Sequence, residues 1–377
     1  MINILKYIIA TLFNWKKSKA YYSKIKHVYT NVCKTDKISI PKKIIKEHDI
    51  YWRRLTRNFS DKWIKVFSTI NNKADIHYVP ETIYYTIIEP VLNNRQLTKA
   101  YADKNFYDLY FDKNIFPNTI LRNLDGRFYT KSFEFITLND PLLFTLLNPY
   151  EKIIIKPSID SGGGFGISLF IRQNDKFIDQ DGNSLSLNLL LKKFYQNYIV
   201  QEYIHQHSFF QQFNETSLNT VRIFTYRSVV NNEIIPLHSV LRIGKKGVFV
   251  DNQASGGISV GINPDGLLNN FAIDKYGNKY NEINSVTLNS GLILPLYHNM
   301  LEIAKELAPK NLYARLLGFD FCLDQNSNIK IVEINNVNNE INFFQMNNGP
   351  LFGTYTDEII EHCQNNYKTF ALDFMIK

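Results

Sequence analysis

The sequence predicts an α+β protein, and two observations carry this prediction. Short β-rich runs dominate the chain after Pro149, and helical patterns separate them at 185–195 and 292–307. Turn signals such as Asn-Pro-Asp-Gly at 263–266 are typical of hairpins. Strands mixed with helices and hairpins favour α+β lobes over a doubly wound sheet. The β-rich runs are 152–155, 167–171, 198–203, 220–230, 238–243, 319–323 and 329–334.

The composition is that of a folded protein with a basic surface. The chain has 377 residues, of which 45% are hydrophobic and 21% are charged, so disorder is excluded as its main state. No apolar run reaches the roughly 18 residues that a membrane-spanning helix needs. The 43 Lys and Arg residues exceed the 35 Asp and Glu residues, for a formal net charge of +8. This surplus suits an anionic partner such as a nucleotide, an acidic sugar or an anionic membrane face.

Two further classes of protein are disfavoured by particular residues. Many of the lysines and arginines lie in the stretch 16–65, which permits a nucleic-acid binder. No RNA- or DNA-binding motif accompanies them, and we expect no nucleic-acid partner. The cysteines Cys33, Cys322 and Cys363 are widely separated. This spacing fits a reducing cytoplasm and neither a disulfide nor a zinc framework.

The beginning of the chain is an apolar segment followed by lysines. Residues 1–15 carry apolar side chains at helical spacing, and Lys16, Lys17 and Lys19 follow them. A signal peptide would place its positive charges first and would end at a small-residue cleavage site, and neither feature occurs. Two interpretations stay open. The segment is either a first helix packed on the body, or an interfacial anchor whose lysines contact lipid phosphates at the inner membrane.

A glycine-dense loop forms the first strong functional signal. The buried run 153–155 ends at Lys156, a loop follows, and a second β-rich run begins after it. Glycines leave backbone N–H groups free to approach phosphate oxygens, and the lysine adds a positive charge. Neither a Walker A loop nor a dinucleotide-binding fingerprint has this spacing. The alternative is a flexible hairpin tip. The loop residues that we expect to bind phosphate are Ser161, Gly162, Gly163 and Gly164.

Two carboxylates on a predicted hairpin form the second signal. If the turn between the β-rich runs is centred between Asn326 and Ser327, Asp320 lies directly opposite Glu333, and Asn335 points to the same face. Opposed like charges are destabilising, so the two carboxylates should share a proton or hold a cation. Oxygen ligands of this kind suit Mg²⁺. The alternative is an exposed hairpin face with solvated acids, and a register slip of one residue would undo the prediction.

These signals also suggest how the chain is divided. Pro80, Pro90 and the Asn pair at 93–94 separate a helical, basic beginning from the rest. We predict three units: an N-terminal helical lobe at 1–95, a unit with the glycine loop at 96–205, and a unit with the carboxylate hairpin at 206–377.

Taken together, the two signals resemble the ATP-grasp fold, in which two α+β lobes hold ATP between them. The spacing of Asp320, Glu333 and Asn335 is similar to the metal hairpin of D-alanine–D-alanine ligases. Lys156 and its glycines resemble the phosphate loop of those enzymes, and Lys104 resembles their second ATP-binding lysine. The resemblance implies that the run after Val200 is the hinge strand that binds adenine. Its residues are Gln201, Glu202, Tyr203 and Ile204.

A narrower resemblance covers almost the whole chain, to the sugar-transfer-associated ATP-grasp family. The segments that carry it are 78–81, 88–93, 103–104, 217–223, 240–244, 251–252 and 256–258. The family implies a carboxylate–amine ligase among polysaccharide-building enzymes of capsule or O-antigen type. The implied partners are ATP with Mg²⁺, a uronic acid or other acidic sugar, and an amine. The implied location is the cytoplasm, with peripheral contact to the membrane if the N-terminal segment is an anchor.

The sequence departs at one position from the pattern of the D-alanine ligases, so other residues are expected to supply the missing positive charge. Where the D-alanine ligases have an arginine two positions before the metal aspartate, this chain has Gly318. Arg222 and Arg242 are therefore expected to neutralise the transferred phosphate and orient the acceptor carboxylate, and Asn252 to line the same cleft. The implied reaction passes through an acyl phosphate that an amine attacks. The alternatives are a phosphotransferase acting on a sugar hydroxyl and a non-catalytic nucleotide-binding module.

Overall fold

The computed structural model describes residues 2–35, 40–111, 114–159, 164–247, 256–289 and 291–373. Within these ranges the chain is a mixture of helices and antiparallel strands, which confirms the predicted α+β class. Two seven-stranded sheets and one short hairpin hold the strands of the described residues.

The beginning of the chain is helical, as predicted. Its helices are α1 (Ile2–Thr35), α2 (Lys42–Trp52), α3 (Lys62–Asn71), α4 (Glu81–Ile83), α5 (Glu89–Leu92), α6 (Arg95–Thr98) and α7 (Tyr107–Phe111). In α3 the apolar residues Trp63, Phe67 and Ile70 recur at helical spacing, and all three are buried. A π-helical stretch at Tyr84–Ile88 joins α4 to α5, so the segment after Pro80 is one continuous helical run.

The first sheet is antiparallel throughout, with the spatial order β3-β2-β1-β7-β4-β5-β6. Its elements are β1 (Thr119–Leu124), β2 (Arg127–Tyr129), β3 (Phe135–Ile136), α8 (Asp140–Leu147), β4 (Lys152–Pro157), β5 (Ser168–Gln173), β6 (Lys176–Asp179), α9 (Leu187–Leu189) and β7 (Tyr198–Glu202). Alternate residues of β4, Ile153 and Ile155, are buried in one cluster with Leu143 and Leu147 of α8. The glycine loop connects β4 to β5, as the sequence predicts.

The second sheet is also antiparallel, with the order β12-β11-β10-β9-β8-β15-β16. The elements of this half are α10 (Ser208–Gln211), β8 (Thr220–Arg227), β9 (Ile234–Ile243), β10 (Ile258–Ile262), β11 (Leu268–Ile273), β12 (Lys279–Tyr280), β13 (Glu282–Ile283), β14 (Val286–Thr287), α11 (Tyr297–Leu307), β15 (Leu316–Leu323), β16 (Ile329–Asn335), α12 (Asn342–Asn348) and α13 (Thr356–Asp373). Strands β13 and β14 form the separate short hairpin.

Helices cover both faces of the second sheet. Successive residues of a strand point to opposite faces, so neighbours in β8 enter different cores. Ile223 is buried in a cluster with Ala304 of α11, whereas Phe224 is buried in a cluster with Ile359 of α13. The strands that carry the predicted carboxylates and arginines are therefore fixed from both sides.

The N-terminal helices pack on the same body as the second sheet. Val28 and Val32 of α1 and Phe67 of α3 share a buried cluster with Ile273 of β11 and Met346 of α12. This part of α1, which follows the apolar segment 1–15, is therefore packed on the body of the protein. None of the helices in the described ranges is long and apolar enough to cross a membrane. The boundaries of the three predicted units stay predictions.

The segment 203–207 connects the two sheets. It leaves β7 of the first sheet and reaches the turn end of the β15–β16 hairpin in the second. The His207 N–H donates to the Leu323 carbonyl at 3.0 Å, and Gln206 forms an isolated bridge with Asp324. Lys156 of β4 and the carboxylate hairpin are far apart in sequence, and in the structure the Lys156 side chain contacts this hairpin.

Candidate functional site

The β15–β16 hairpin carries the predicted carboxylates in the predicted register. Asp320 pairs directly with Glu333, which confirms the expected opposition. The predicted turn centre is wrong by half a residue, because Leu323 pairs with Ile329 and the turn is centred on Asn326. A β-bulge between Asp320 and Phe321 leaves Val332 outside the pairing and restores the register at Asp320.

Asp320 is buried and held by two arginines. The Arg222 Nε donates to Asp320 Oδ1 at 2.5 Å, and Arg242 Nη1 donates to Oδ2 at 3.1 Å. Burial by itself would raise the pKa of Asp320, but the two guanidinium groups outweigh it and hold this pKa below its usual value. The carboxylate therefore stays ionised as an acceptor between two cations.

Glu333 has a different cation. Lys104, on a 3₁₀ turn at Lys104–Phe106, places its Nζ 2.9 Å from Glu333 Oε1. Burial would lower the pKa of Lys104, but the neighbouring Glu333 raises it above its usual value. We expected the opposed carboxylates to share a proton or hold a cation between them. In the structure, each carboxylate also contacts a basic side chain, since Arg222 faces Asp320 from β8 and Lys104 reaches Glu333. A shared proton or a bound cation stays a prediction.

Lys156 reaches the same hairpin from the first sheet. It lies on β4, and its Nζ donates to the Val332 carbonyl at 3.2 Å. Val332 is the bulged residue. Because it lies outside the strand pairing, its carbonyl can accept a hydrogen bond from this lysine. Burial and the nearby charge of Lys104 lower the pKa of Lys156 to about 8, although Glu333 opposes this shift. Lys104, Lys156 and Glu333 therefore form one electrostatic cluster between the two sheets.

Two residues that sequence reasoning missed support this cluster. The Tyr107 hydroxyl donates to the Ile334 carbonyl and accepts from the Ile334 N–H, both at 3.2 Å. Arg122 is fully buried in β1 and donates to the Asn105 carbonyl and to the Asp108 carboxylate. Tyr107 is three residues after Lys104 and therefore lies about one helical turn away. This spacing is the sequence feature from which its role could have been predicted. No sequence motif marks Arg122.

Asn335 and Gly318 complete the carboxylate face. The Asn335 Nδ2 lies 3.4 Å from Asp320 Oδ2, so the predicted third ligand does share this face. A Cβ atom at Gly318 would lie 2.6 Å from Asn339 Oδ1 and 3.7 Å from Arg222 Cδ. The residue that departs from the D-alanine ligase pattern thus lies beside Arg222, and a side chain at position 318 would collide with its neighbours.

The residues predicted to bind adenine, 201–204, lie at the junction of the sheets. Their side chains contact other protein groups. Glu202 accepts hydrogen bonds from the backbone N and the side chain of Asn118, at 2.9 and 2.7 Å. The Gln201 amide donates to the Pro117 carbonyl at 3.2 Å. In the same strand region, the Tyr203 ring lies under Lys152 and Ile204 is buried.

The glycine loop lies only partly within the described residues. Ser161, Gly162, Gly163 and Asn252 lie outside them. Gly164 and Gly166 are described, and both have a positive φ. At Gly166 a Cβ atom would lie 2.8 Å from Pro157 Cγ, so this position requires glycine on two grounds.

The oxygen donors at the hairpin suit magnesium, which prefers oxygen ligands and takes others from phosphates and water. Within the described ranges, no cluster of three or more His, Cys, Asp and Glu residues could hold a metal ion. Asp320, Glu333 and Asn335 instead offer two carboxylates and an amide on one face. Four basic side chains surround them, which is an arrangement that can bind a polyanion with a divalent cation. These are Lys104, Lys156, Arg222 and Arg242.

Most of the chain is similar to a known protein family. The family model described as sugar-transfer-associated ATP-grasp matches residues 47–359. No curated protein matches the chain. Among solved structures, similarity extends to a biotin carboxylase complex from Campylobacter jejuni, with 12% identity and a TM-score of 0.41 over 70% of this chain and 46% of that one.

Two other solved structures are similar over more of their own length. D-alanyl-alanine synthetase A from Vibrio cholerae has 13% identity and a TM-score of 0.36, over 72% of this chain and 66% of that one. D-cycloserine synthetase DcsG has 10% identity and a TM-score of 0.41, over 72% of this chain and 73% of that one. The chain spans less than half the length of the first two structures that it matches.

Proposed function

The chain belongs to the sugar-transfer-associated ATP-grasp family, and from this premise we propose that it is an ATP-dependent carboxylate–amine ligase. Its substrate would be a uronic-acid-containing sugar or polysaccharide of capsule or O-antigen type, joined to an amine in the cytoplasm. The observation that carries the proposal is the meeting of Lys104 and Lys156 with the Glu333 strand, beside Asp320 and its arginines.

The reaction requires activation of a carboxylate. A carboxylate is a poor electrophile because its leaving group would be oxide, and transfer of the ATP γ-phosphoryl group to it gives an acyl phosphate with a good leaving group. An amine then attacks the carbonyl carbon, and phosphate leaves. The protein's contribution is positioning and neutralisation of charge.

Each side chain of the site has a role in this scheme. Lys104 and Lys156 would neutralise the α- and β-phosphates, and their present contacts with Glu333 and Val332 hold them at the hairpin. Asp320, Glu333 and Asn335 would hold Mg²⁺. When bound, this ion would neutralise the charge of the β- and γ-phosphates.

The remaining site residues would act on the acceptor, on the nucleotide base and on water. Arg222 and Arg242 would orient the acceptor carboxylate, since planar guanidinium groups suit carboxylates, and Asn252 would line the same cleft. The loop from Ser161 to Gly166 would cover the γ-phosphate and exclude water from the acyl phosphate. Adenine would bind the hinge residues, which are Gln201, Glu202, Tyr203 and Ile204.

Nucleotide binding is the first test of this proposal. Calorimetric titration of a non-hydrolysable ATP analogue with Mg²⁺ is expected to show binding to the wild type. Lys156→Ala is expected to weaken it by about tenfold to a hundredfold, because a charge-assisted contact is lost. Lys305→Ala, on the exposed surface of α11, is the matched control and should bind normally.

Product analysis then separates the proposed ligase from its alternatives. Mass spectrometry after incubation with ATP, uronic acids and amines is expected to find an amide, with ADP and free phosphate. A phosphorylated sugar would identify a phosphotransferase instead. No binding of the analogue to the wild type would contradict the proposed nucleotide site.

The pH dependence of nucleotide affinity is a second prediction. Lys156 must be charged to bind phosphate, and its pKa in the free protein is about 8. A bound polyanion raises this pKa. Affinity should therefore be constant below pH 8 and fall above it, by up to about tenfold per pH unit. Calorimetric titrations between about pH 7.5 and 9.5 would measure this slope.

Arginine at the same position is the matched control for the pH experiment. Lys156→Arg keeps a charge that does not titrate in this range, so its profile is expected to be flat. Lys104 stays charged throughout because Glu333 raises its pKa. A flat wild-type profile would show that Lys156 is not the titrating group.

A further inference from the structure

The first half of α1 exposes apolar side chains on one stretch of the helix. Ile8, Ile9, Leu12 and Trp15 are between 43% and 57% exposed. Ile8, Leu12 and Trp15 lie at i, i+4 and i+7, so they share one side of the helix. We name these four residues the α1 apolar face.

The second half of α1 is attached to the body of the protein. Ser18 is buried, and from Ile25 onward every third or fourth residue enters the core, as Val28 and Val32 show. The α1 apolar face lies before these contacts. The same helix is thus held on the protein at one end and presents apolar groups to solvent towards the other.

The charges along α1 are all of one sign. Its sequence contains seven lysines and no aspartate or glutamate. Lys16 and Lys19 are exposed beside the α1 apolar face, and the Lys19 Nζ lies 3.7 Å from the centre of the Trp15 ring. Lys24, farther along, is paired with Glu81 and Glu340 of the body.

We propose that the α1 apolar face lies on an anionic lipid surface, with the neighbouring lysines on the lipid phosphates. Apolar side chains next to tryptophan and lysine are the composition of helices that lie in a membrane interface. A second copy of the chain is a poorer partner, because it would bring another helix with seven lysines against the first. An anionic surface complements this charge. The proposal concerns location and is independent of the ATP site.

Flotation with lipid vesicles tests the proposal on the full chain. The wild type is expected to float with vesicles of phosphatidylcholine containing about 30% phosphatidylglycerol, and only weakly with phosphatidylcholine alone. Replacing Lys16 and Lys19 with Glu should weaken binding by at least about fivefold per lysine. The double variant Leu12→Glu and Trp15→Glu should abolish it. Leu312→Glu, at an exposed leucine on a different surface, is the matched control.

Tryptophan fluorescence gives a second, local measurement. The chain has three tryptophans, and Trp52 and Trp63 are fully buried. A blue shift of emission on adding the anionic vesicles would therefore report Trp15. Trp15→Phe is expected to keep most of the vesicle binding and to lose the blue shift.

Three results would overturn the proposal. The first is that the wild type does not float with anionic vesicles, and the second is that Leu12→Glu with Trp15→Glu floats as the wild type does. The third is a dimer, found by light scattering, that this double variant dissociates and that does not bind vesicles; this result would assign the face to a second copy. Circular dichroism of each variant controls for folding. Binding of the ATP analogue is measured without vesicles. This measurement tests the ligase proposal separately from the membrane proposal.

Discussion

Glu333→Gln is expected to lower turnover by about 10²- to 10³-fold while leaving the protein folded. Glu333 is partly exposed, and its cationic partner Lys104 is held independently by its backbone hydrogen bond to Ser158. Glutamine keeps the size of the side chain and removes one of the two carboxylate charges that would hold magnesium against the phosphates. Steady-state release of ADP, measured with the substrates found by product analysis, would quantify the loss.

Glu302→Gln provides the matched control for this experiment. Glu302 lies on the exposed surface of α11 and pairs only locally, with Lys305. The control should have wild-type turnover and thermal stability. Near-normal turnover of Glu333→Gln would contradict the assignment of the hairpin as the catalytic magnesium site, even if the ATP analogue still bound.

Asp320→Asn is expected to lower the free energy of unfolding by about 3–5 kcal/mol, and to abolish turnover as well. Asp320 is 2% exposed and accepts hydrogen bonds from Arg222 and Arg242, each of which is 8% exposed. Removing the carboxylate charge takes away a counter-ion that two buried guanidinium groups contact, which costs far more than losing a surface ion pair. Urea denaturation would measure the difference.

A double variant tests the physical reason for this loss. Arg222→Gln added to Asp320→Asn removes one of the two cations that contact this carboxylate, so the two changes should be less than additive, by about 1 kcal/mol or more. Asp181→Asn, on an exposed turn of the first sheet, is the matched control and should change stability little. Wild-type stability of Asp320→Asn would mean that the arginines do not depend on this carboxylate.

The hairpin that carries the carboxylates could be predicted from the sequence, because it depends on residues that are close together along the chain. The position of the turn placed Asp320 opposite Glu333, and the two-residue period of a strand placed Asn335 on the same face; the structure has this pairing. Even here the agreement depended on a β-bulge that no pattern predicts. The turn was placed half a residue too far along the chain, and the extra residue Val332 corrected the register.

The partners of the charged groups could not be predicted in the same way. Lys156 and Val332 are 176 residues apart, and Arg222 and Asp320 are 98 apart. Opposed carboxylates led us to expect a shared proton or a bound cation, because repulsion between them was the only interaction visible locally. The structure adds further partners of these carboxylates, namely the arginines on β8 and β9 and the lysine before α7.

The sequence by itself thus determined the class of fold, the strands that carry the site and the residue types available for nucleotide chemistry. Periodicity and turn residues act over a few positions, and the information for them is local. Only the tertiary structure decided which cation faces which carboxylate, that Lys156 donates to the bulged carbonyl, and that Arg122 and Tyr107 support the cluster. These contacts depend on how the two antiparallel sheets are arranged around their connecting segment. This arrangement sets the distances between the charged groups and their burial, and these two quantities determine the electrostatic interactions.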